Sequence, residues 1–152
     1  MYFVDRTLIE ERLSYIERLL NNIEMSSDKS DCISVLAQER IFHMLIEAMM
    51  DVGNQMIDGF IMRDPGSFED IVAILVDEKV ITASEGSQLE KLLPLRKELL
   101  RNYTSYNYQE LTAAYAENVK AVQSFPKRIR EYLANELGPV SAFLPEQEEG
   151  KE

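Results

Sequence analysis

Side chains able to do chemistry are sparse in this sequence and fall in two places. The only histidine, His43, has Glu39 one turn before it and Glu47, Asp51 and Asn54 following at three- and four-residue intervals, so one narrow polar stripe of a helix would carry them all. An imidazole among carboxylates could move protons or ligate a metal. A metal site in a helical protein would want further ligands on facing helices, typically Glu-x-x-His pairs, and none is readable; a hydrogen-bonded or solvent-facing histidine is favoured, and no metal is expected. The second place is a basic island. Residues 91–132 hold eight basic side chains (Lys91, Arg96, Lys97, Arg101, Lys120, Lys127, Arg128, Arg130) against four acidic ones, whereas residues 1–90 hold 7 basic and 18 acidic. A net charge of −11 argues against a general nucleic-acid binder, yet a basic island on an acidic body focuses its field locally and leaves an anionic ligand open. On charge alone, solvated helix faces are the simpler account. Neither a Gly-rich phosphate loop nor a Ser/His/Asp or Cys/His grouping is present, so no cofactor is expected.

The elements that must position these residues are helical nearly throughout. With 152 residues, 45% of them hydrophobic, the chain fits one domain with a core large enough to need no disulfide or metal. The longest apolar run, Ile71 to Val76, is far too short to span a membrane; no signal-peptide core precedes it, and a lone Cys32 suits a reducing interior, so the expected location is the cytoplasm. Leu8, Ile9, Leu13, Ile16, Leu19, Leu20 and Ile23 recur at helical spacing from Asp5 onward, until the polar stretch Ser26 to Ser30 breaks the pattern. A second helix is predicted from about Asp31 to Met62, stopped by Asp64-Pro65-Gly66. Ser67, with Glu69 and Asp70 behind it, reads as the N-cap of a short helix over Ile71 to Glu78; the β-branched run there could also pass for a buried strand. Ser84 is expected to cap a fourth helix reaching Asn102, bent or split at Pro94. Tyr103 to Tyr108 reads as a loop or frayed end, and a last helix over Gln109 to Leu137, interrupted near Pro126, ends at Gly138-Pro139. The expectation is an all-α bundle of about five helices over residues 1–138, with an acidic, disordered tail over 139–152.

The second helix is apolar over too much of its circumference for a helix packed on one side. Apart from the His43–Asn54 stripe, it carries Ile41, Phe42, Met44, Leu45, Ile46, Met49, Met50, Val52, Met56, Ile57 and Phe60. Two apolar flanks predict two packing partners, its own bundle and a second subunit, with several of Met44, Met49, Met50, Met56 and Phe60 in the dimer interface.

Several stretches resemble a known family. Gln38 to Ile41 and Glu47 to Asn54 are similar to the second helix of the HepT-like proteins, which belong to the HEPN superfamily of small helical bundles. Ser67 to Ile71 followed by Leu75 and Glu78 to Ile81, Leu92 to Leu111, and Phe125 with Ile129, Arg130, Tyr132 and Leu133 are similar in the same order. The likeness spans residues 1–137 and is nearest to a branch of cytosolic proteins from Bacillus-type bacteria. It implies a homodimer and metal-independent RNA cleavage by the Arg and His of an Arg-(four residues)-His-x-Tyr motif. It also implies a minimal nucleotidyltransferase as antitoxin, which adenylates the motif tyrosine. In such chemistry the histidine serves as acid–base and the arginine fork binds the phosphate as charge builds up.

This sequence departs from the motif. In the frame Arg96-Lys97-Glu98-Leu99-Leu100-Arg101-Asn102-Tyr103, Arg96 and Tyr103 fall on the motif arginine and tyrosine, and arginine stands where the histidine belongs. A second frame starting at Arg101 puts Tyr106 at the histidine and Tyr108 at the tyrosine, but loses the apolar pair; the first also registers Asn107 and Leu111 and is preferred. Arginine stays protonated at physiological pH, so Arg101 cannot alternate as acid and base. Five residues apart, Arg96 and Arg101 point about 140° apart on a straight helix, and either could simply pair with Glu98 or a carboxylate of the second helix. Three readings follow: a HepT-like ribonuclease toxin with an altered site, a HEPN dimer with little or no cleavage that binds RNA, a nucleotide or a partner protein, or a structural protein whose basic island balances its acidic body. The missing histidine favours the second, with Arg96 and Arg101 as the phosphate-binding pair, Asn102 and Tyr103 as binding or modification residues, and Glu47, Asp51 and Asn54 as a polar stripe nearby.

Overall fold

The computed structural model describes residues 2–26 and 31–138, which form five helices and no strand. The expected tail over 139–152 and most of the expected break at Ser26 to Ser30 lie outside the described residues. Helix α1 (Arg6–Ser26) starts where the Asp5 carboxylate accepts from the Leu8 amide at 2.9 Å, and it buries Ile9, Leu13, Ile16, Leu19 and Ile23 as one stripe. Helix α2 (Cys32–Gly59) begins at Asp31, whose side chain accepts from the Ser34 amide at 3.0 Å.

Helix α2 is the centre of the bundle, packed against α1, α3 (Phe68–Asp77) and α4 (Ala83–Arg101). This explains its apolar circumference and corrects the interface expected from it. Met49, Met50, Met56 and Phe60 are at most 6% exposed within a single chain, and Met44 is partly buried. The second apolar flank therefore covers other helices of the same bundle, and these residues are core rather than dimer interface.

Helix α2 stops at Gly59, three residues before the expected end. Phe60 is its C-cap, Ile61 adopts φ 55°, and the Met62 and Ile61 amides bond back to the carbonyls of Ile57 and Asp58 at 2.9 and 3.4 Å. This six-to-one, five-to-two pairing satisfies the last carbonyls, so the helix closes before Pro65 can stop it. The same closure follows α3, where Lys79 takes φ 60° and the Val80 amide reaches the Leu75 carbonyl at 2.9 Å. The Ile71–Val76 run is helix, capped by Ser67, and it needs two glycines to seat it. A Cβ on Gly53 of α2 would lie 2.5 Å from Ile71 Cγ2, and one on Gly86 of α4 would lie 2.4 Å from Val76 Cγ2.

The cap of α4 is Thr82, not Ser84. Thr82 and Glu85 stand three apart and form a reciprocal capping box, with Glu85 N to Thr82 Oγ1 at 3.1 Å and Thr82 N to Glu85 Oε1 at 2.8 Å; Ser84 has no such acid three residues on. Neither proline splits its helix. Pro94 lies on the exposed side of α4, where water can serve the carbonyl left without a donor, and Pro126 is buried inside α5 (Tyr108–Leu137), where packing offsets the lost hydrogen bond.

Candidate functional site

The end of α4 turns sharply back onto α2. Asn102 closes the helix, its amide on the Glu98 carbonyl at 3.0 Å and its Nδ2 on the Glu98 carboxylate at 3.1 Å. Its own carbonyl then accepts from the Ser105 and Tyr106 amides at 3.0 and 2.9 Å, so residues 102–106 form a tight turn rather than a frayed end. The turn returns two tyrosines to α2, where Tyr106 donates its hydroxyl to Glu39 and Tyr108 donates to Gln38. Burial, reinforced by the Glu39 carboxylate, pushes both phenols above their ordinary range, which keeps them protonated as donors. Asn107 caps α5 by accepting from Glu110 N at 3.1 Å.

Between this turn and α2 lies an open cleft of about 180 Å³. Its walls are Leu36, Glu39, Arg40 and His43 from α2 and Leu99, Tyr103 and Tyr106 from the end of α4 and its turn. At its back, His43 Nε2 is 3.3 Å from Glu47 Oε1, and the same oxygen accepts from Arg96 Nε. The Arg96 guanidinium lies over the Phe68 ring, 4.8 Å from its centroid. The larger apolar groove between Leu20, Phe42 and Ala116 is lined by no charged side chain.

The structure separates the two motif arginines. Arg96 turns inward to Glu47 on α2, which is the carboxylate pairing weighed for it, while Arg101 is exposed in the last turn of α4 with no ion-pair partner among the described residues. Tyr103 is 67% exposed at the cleft mouth, and Asn102 serves the turn. Of Glu47, Asp51 and Asn54, only Glu47 joins the site. Asp51 faces Arg12 of α1 at 3.8 Å, and Asn54 is exposed farther along α2. No group of three or more potential metal ligands forms among the described residues.

Two cleft residues were not singled out as site residues by sequence. Arg40 is exposed on the wall with no ion-pair partner among the described residues, and His43 lies one turn further along. The Glu39-Arg40-x-x-His43-x-x-x-Glu47 spacing was the available signal, but only the fold shows that this face meets the motif. Much of the basic island serves structure instead. Arg128 bonds Glu85 at 3.0 Å, and Arg130 clamps Glu10 and Glu17 of α1, each at 2.6 Å. Lys91, Lys97, Lys120 and Arg101 lack carboxylate partners among the described residues.

The helical order and the turned-back motif segment define a HEPN-type bundle. Two solved toxin–antitoxin complexes share the fold, one determined with AMP-PNP (TM-score 0.76, 17% identity, covering 83% of this chain and 99% of that one). The other holds a tri-AMPylated Shewanella oneidensis HEPN toxin with its MNT antitoxin (TM-score 0.76, 19% identity, covering 84% and 99%). Residues 9–129 match the HepT-like ribonuclease family, and the chain belongs to it. It is 52% identical over 143 residues, 94% of this chain and 99% of the relative, to YutE of Bacillus subtilis strain 168, whose RNase name is itself provisional. The solved structure of that YutE, described as a cytosolic protein of unknown function, superposes with a TM-score of 0.85 at 51% identity, covering 94% of this chain and all of that one. No helix among the described residues is long and apolar enough to cross a membrane.

Proposed function

We propose that this chain is a cytoplasmic HEPN homodimer that binds RNA across the cleft between α2 and the end of α4, and that its own motif residues give little or no cleavage. The observation carrying this is the pair of unpartnered cations, Arg40 on the cleft wall and Arg101 beside the turn, next to an exposed tyrosine on which a base can stack. Arg96 is held in place by Glu47 behind His43, so it is a fixed group rather than a mobile cation. Arg101 contributes charge to phosphate binding but cannot carry a proton in either direction at neutral pH. A fluorescence-anisotropy titration with labelled tRNA tests the reading. Arg101→Ala and Arg40→Ala should each weaken binding and each lower the salt slope by about 1, as loss of one phosphate contact does. Affinity and salt slope unchanged in both variants would overturn it.

The dimer follows the family and needs a surface other than the α2 methionines. Ile33 and Leu100, 75% and 43% exposed, stand one turn before Leu36 and next to Leu99 of the cleft wall and offer that surface. Tyr103 is accessible enough to accept an adenylate from a nucleotidyltransferase partner, and a mass increase confined to Tyr103 after incubation with such an enzyme and ATP is the check.

A further inference from the structure

We propose that His43 is the proton-transfer residue of this site, supplying from α2 the imidazole that position 101 of α4 lacks. The inference rests on the reading of the cleft as an RNA site. His43 lines the cleft with Arg40 and Tyr103, and its Nε2 lies 3.3 Å from a Glu47 oxygen that Arg96 also engages. A carboxylate beside one ring nitrogen favours the tautomer with its proton there, and it leaves the other nitrogen as the base. Here that nitrogen is Nδ1, which has no hydrogen-bond partner among the described residues. The charged and titratable groups around the ring are Glu39, Arg40 and Glu47 on α2, Arg96 on α4, and Tyr103 and Tyr106 on the turn. Arg96 offsets the charge of Glu47, so the carboxylate orients the imidazole without standing as an isolated anion beside a phosphate.

The step is a transfer within the RNA. Nδ1 takes the proton of a 2′-hydroxyl, and that oxygen forms a bond to the adjacent phosphorus. The bond from phosphorus to the 5′-oxygen breaks, and its electron pair leaves with that oxygen, which takes a proton from water. The products are a 2′,3′-cyclic phosphate and a 5′-hydroxyl, and the imidazolium returns its proton to solvent. Arg40 holds the phosphate; Glu47 is a positioning residue.

The test uses tag-free protein, in which His43 is the only histidine, with a labelled single-stranded oligoribonucleotide in EDTA, and with its 2′-O-methyl counterpart as the binding probe. Slow cleavage to cyclic-phosphate ends is expected. His43→Gln should lower the rate by about 10²–10⁴ while leaving affinity for the 2′-O-methyl probe unchanged. Diethyl pyrocarbonate should abolish cleavage by the wild type and hydroxylamine should restore it, which covers the case of a poorly folded variant. RNA that is bound but not cleaved, or cleaved equally by His43→Gln and by the modified protein, overturns the assignment of His43 alone. Failure to bind the 2′-O-methyl probe overturns the RNA reading itself, and this inference with it.

Discussion

Glu85 ties the start of α4 to α5, and replacing it with glutamine gives a quantitative test. Its carboxylate accepts from Thr82 N at 2.8 Å, from Ser124 Oγ at 2.6 Å and from Arg128 Nε at 3.0 and 3.1 Å, so it caps α4 and fastens that helix to α5. Burial alone would raise the carboxyl, but the hydrogen bonds from Ser124, Thr82 and Arg128 outweigh it and hold it from the ordinary 4.5 down to about 2. At about 1.4 kcal/mol per pH unit the full shift corresponds to about 3 kcal/mol, and solvent screening of the partly exposed Arg128 reduces the stability at stake to about 1–2 kcal/mol. A lowered carboxyl stabilises the fold above its unfolded value and loses that contribution as pH falls from about 4.5 through about 2. Glu85→Gln preserves the shape and one acceptor but removes the charge. Urea unfolding followed by circular dichroism should therefore show a loss of about 1–2 kcal/mol at neutral pH. The difference between variant and wild type should shrink as the medium is acidified. Glu17, pulled down by its Arg130 partner, keeps some acid sensitivity in the variant. An equal midpoint at neutral pH, or a difference that persists undiminished into acid, would refute the linkage.

Other substitutions probe the seating of α3, the end of α2 and the motif. Gly53→Ala should cost about 1–3 kcal/mol, despite alanine's better helix propensity, because the new methyl meets the buried, branched Ile71 at 2.5 Å; an unchanged or raised melting temperature would show that α3 can give way. Ile61→Gly should raise stability by about 1 kcal/mol by relieving a β-branched residue at φ 55°, as read by the urea midpoint, and a lowered midpoint would contradict this. Arg101→His rebuilds Arg96-(four residues)-His-x-Tyr103 and should raise RNA cleavage, by no more than about 10²–10⁴ over the wild type. A time course on tRNA no faster than wild type would mean that position 101 does not face the phosphate.

The sequence by itself determined the helical class, the number and order of the helices and the family, because each of these is written in local periodicity, capping residues and motif spacing. The stripe Ile9, Leu13, Ile16 and Ile23 and the Ser67 cap were legible because each residue that decides them lies within about two turns of the next. The Thr82–Glu85 box was equally local and was missed only by reading the cap two residues late. The role of Met49, Met50 and Met56 was not legible. Amphipathicity reports that a helix has two apolar flanks, but not whether the second is covered by the same chain or by another, and the packing of α2 against α1, α3 and α4 decided that. The candidate site was half legible for the same reason. Motif spacing located Arg96, Arg101 and Tyr103 along the chain, but helical rotation carries Arg96 inward to Glu47 and leaves Arg101 outside. His43 and Arg40 are about sixty residues from Tyr103 in sequence, and only the return of the Asn102–Tyr106 turn onto α2 places all three around one cleft. Such a juxtaposition is a property of long-range packing, which no local pattern encodes.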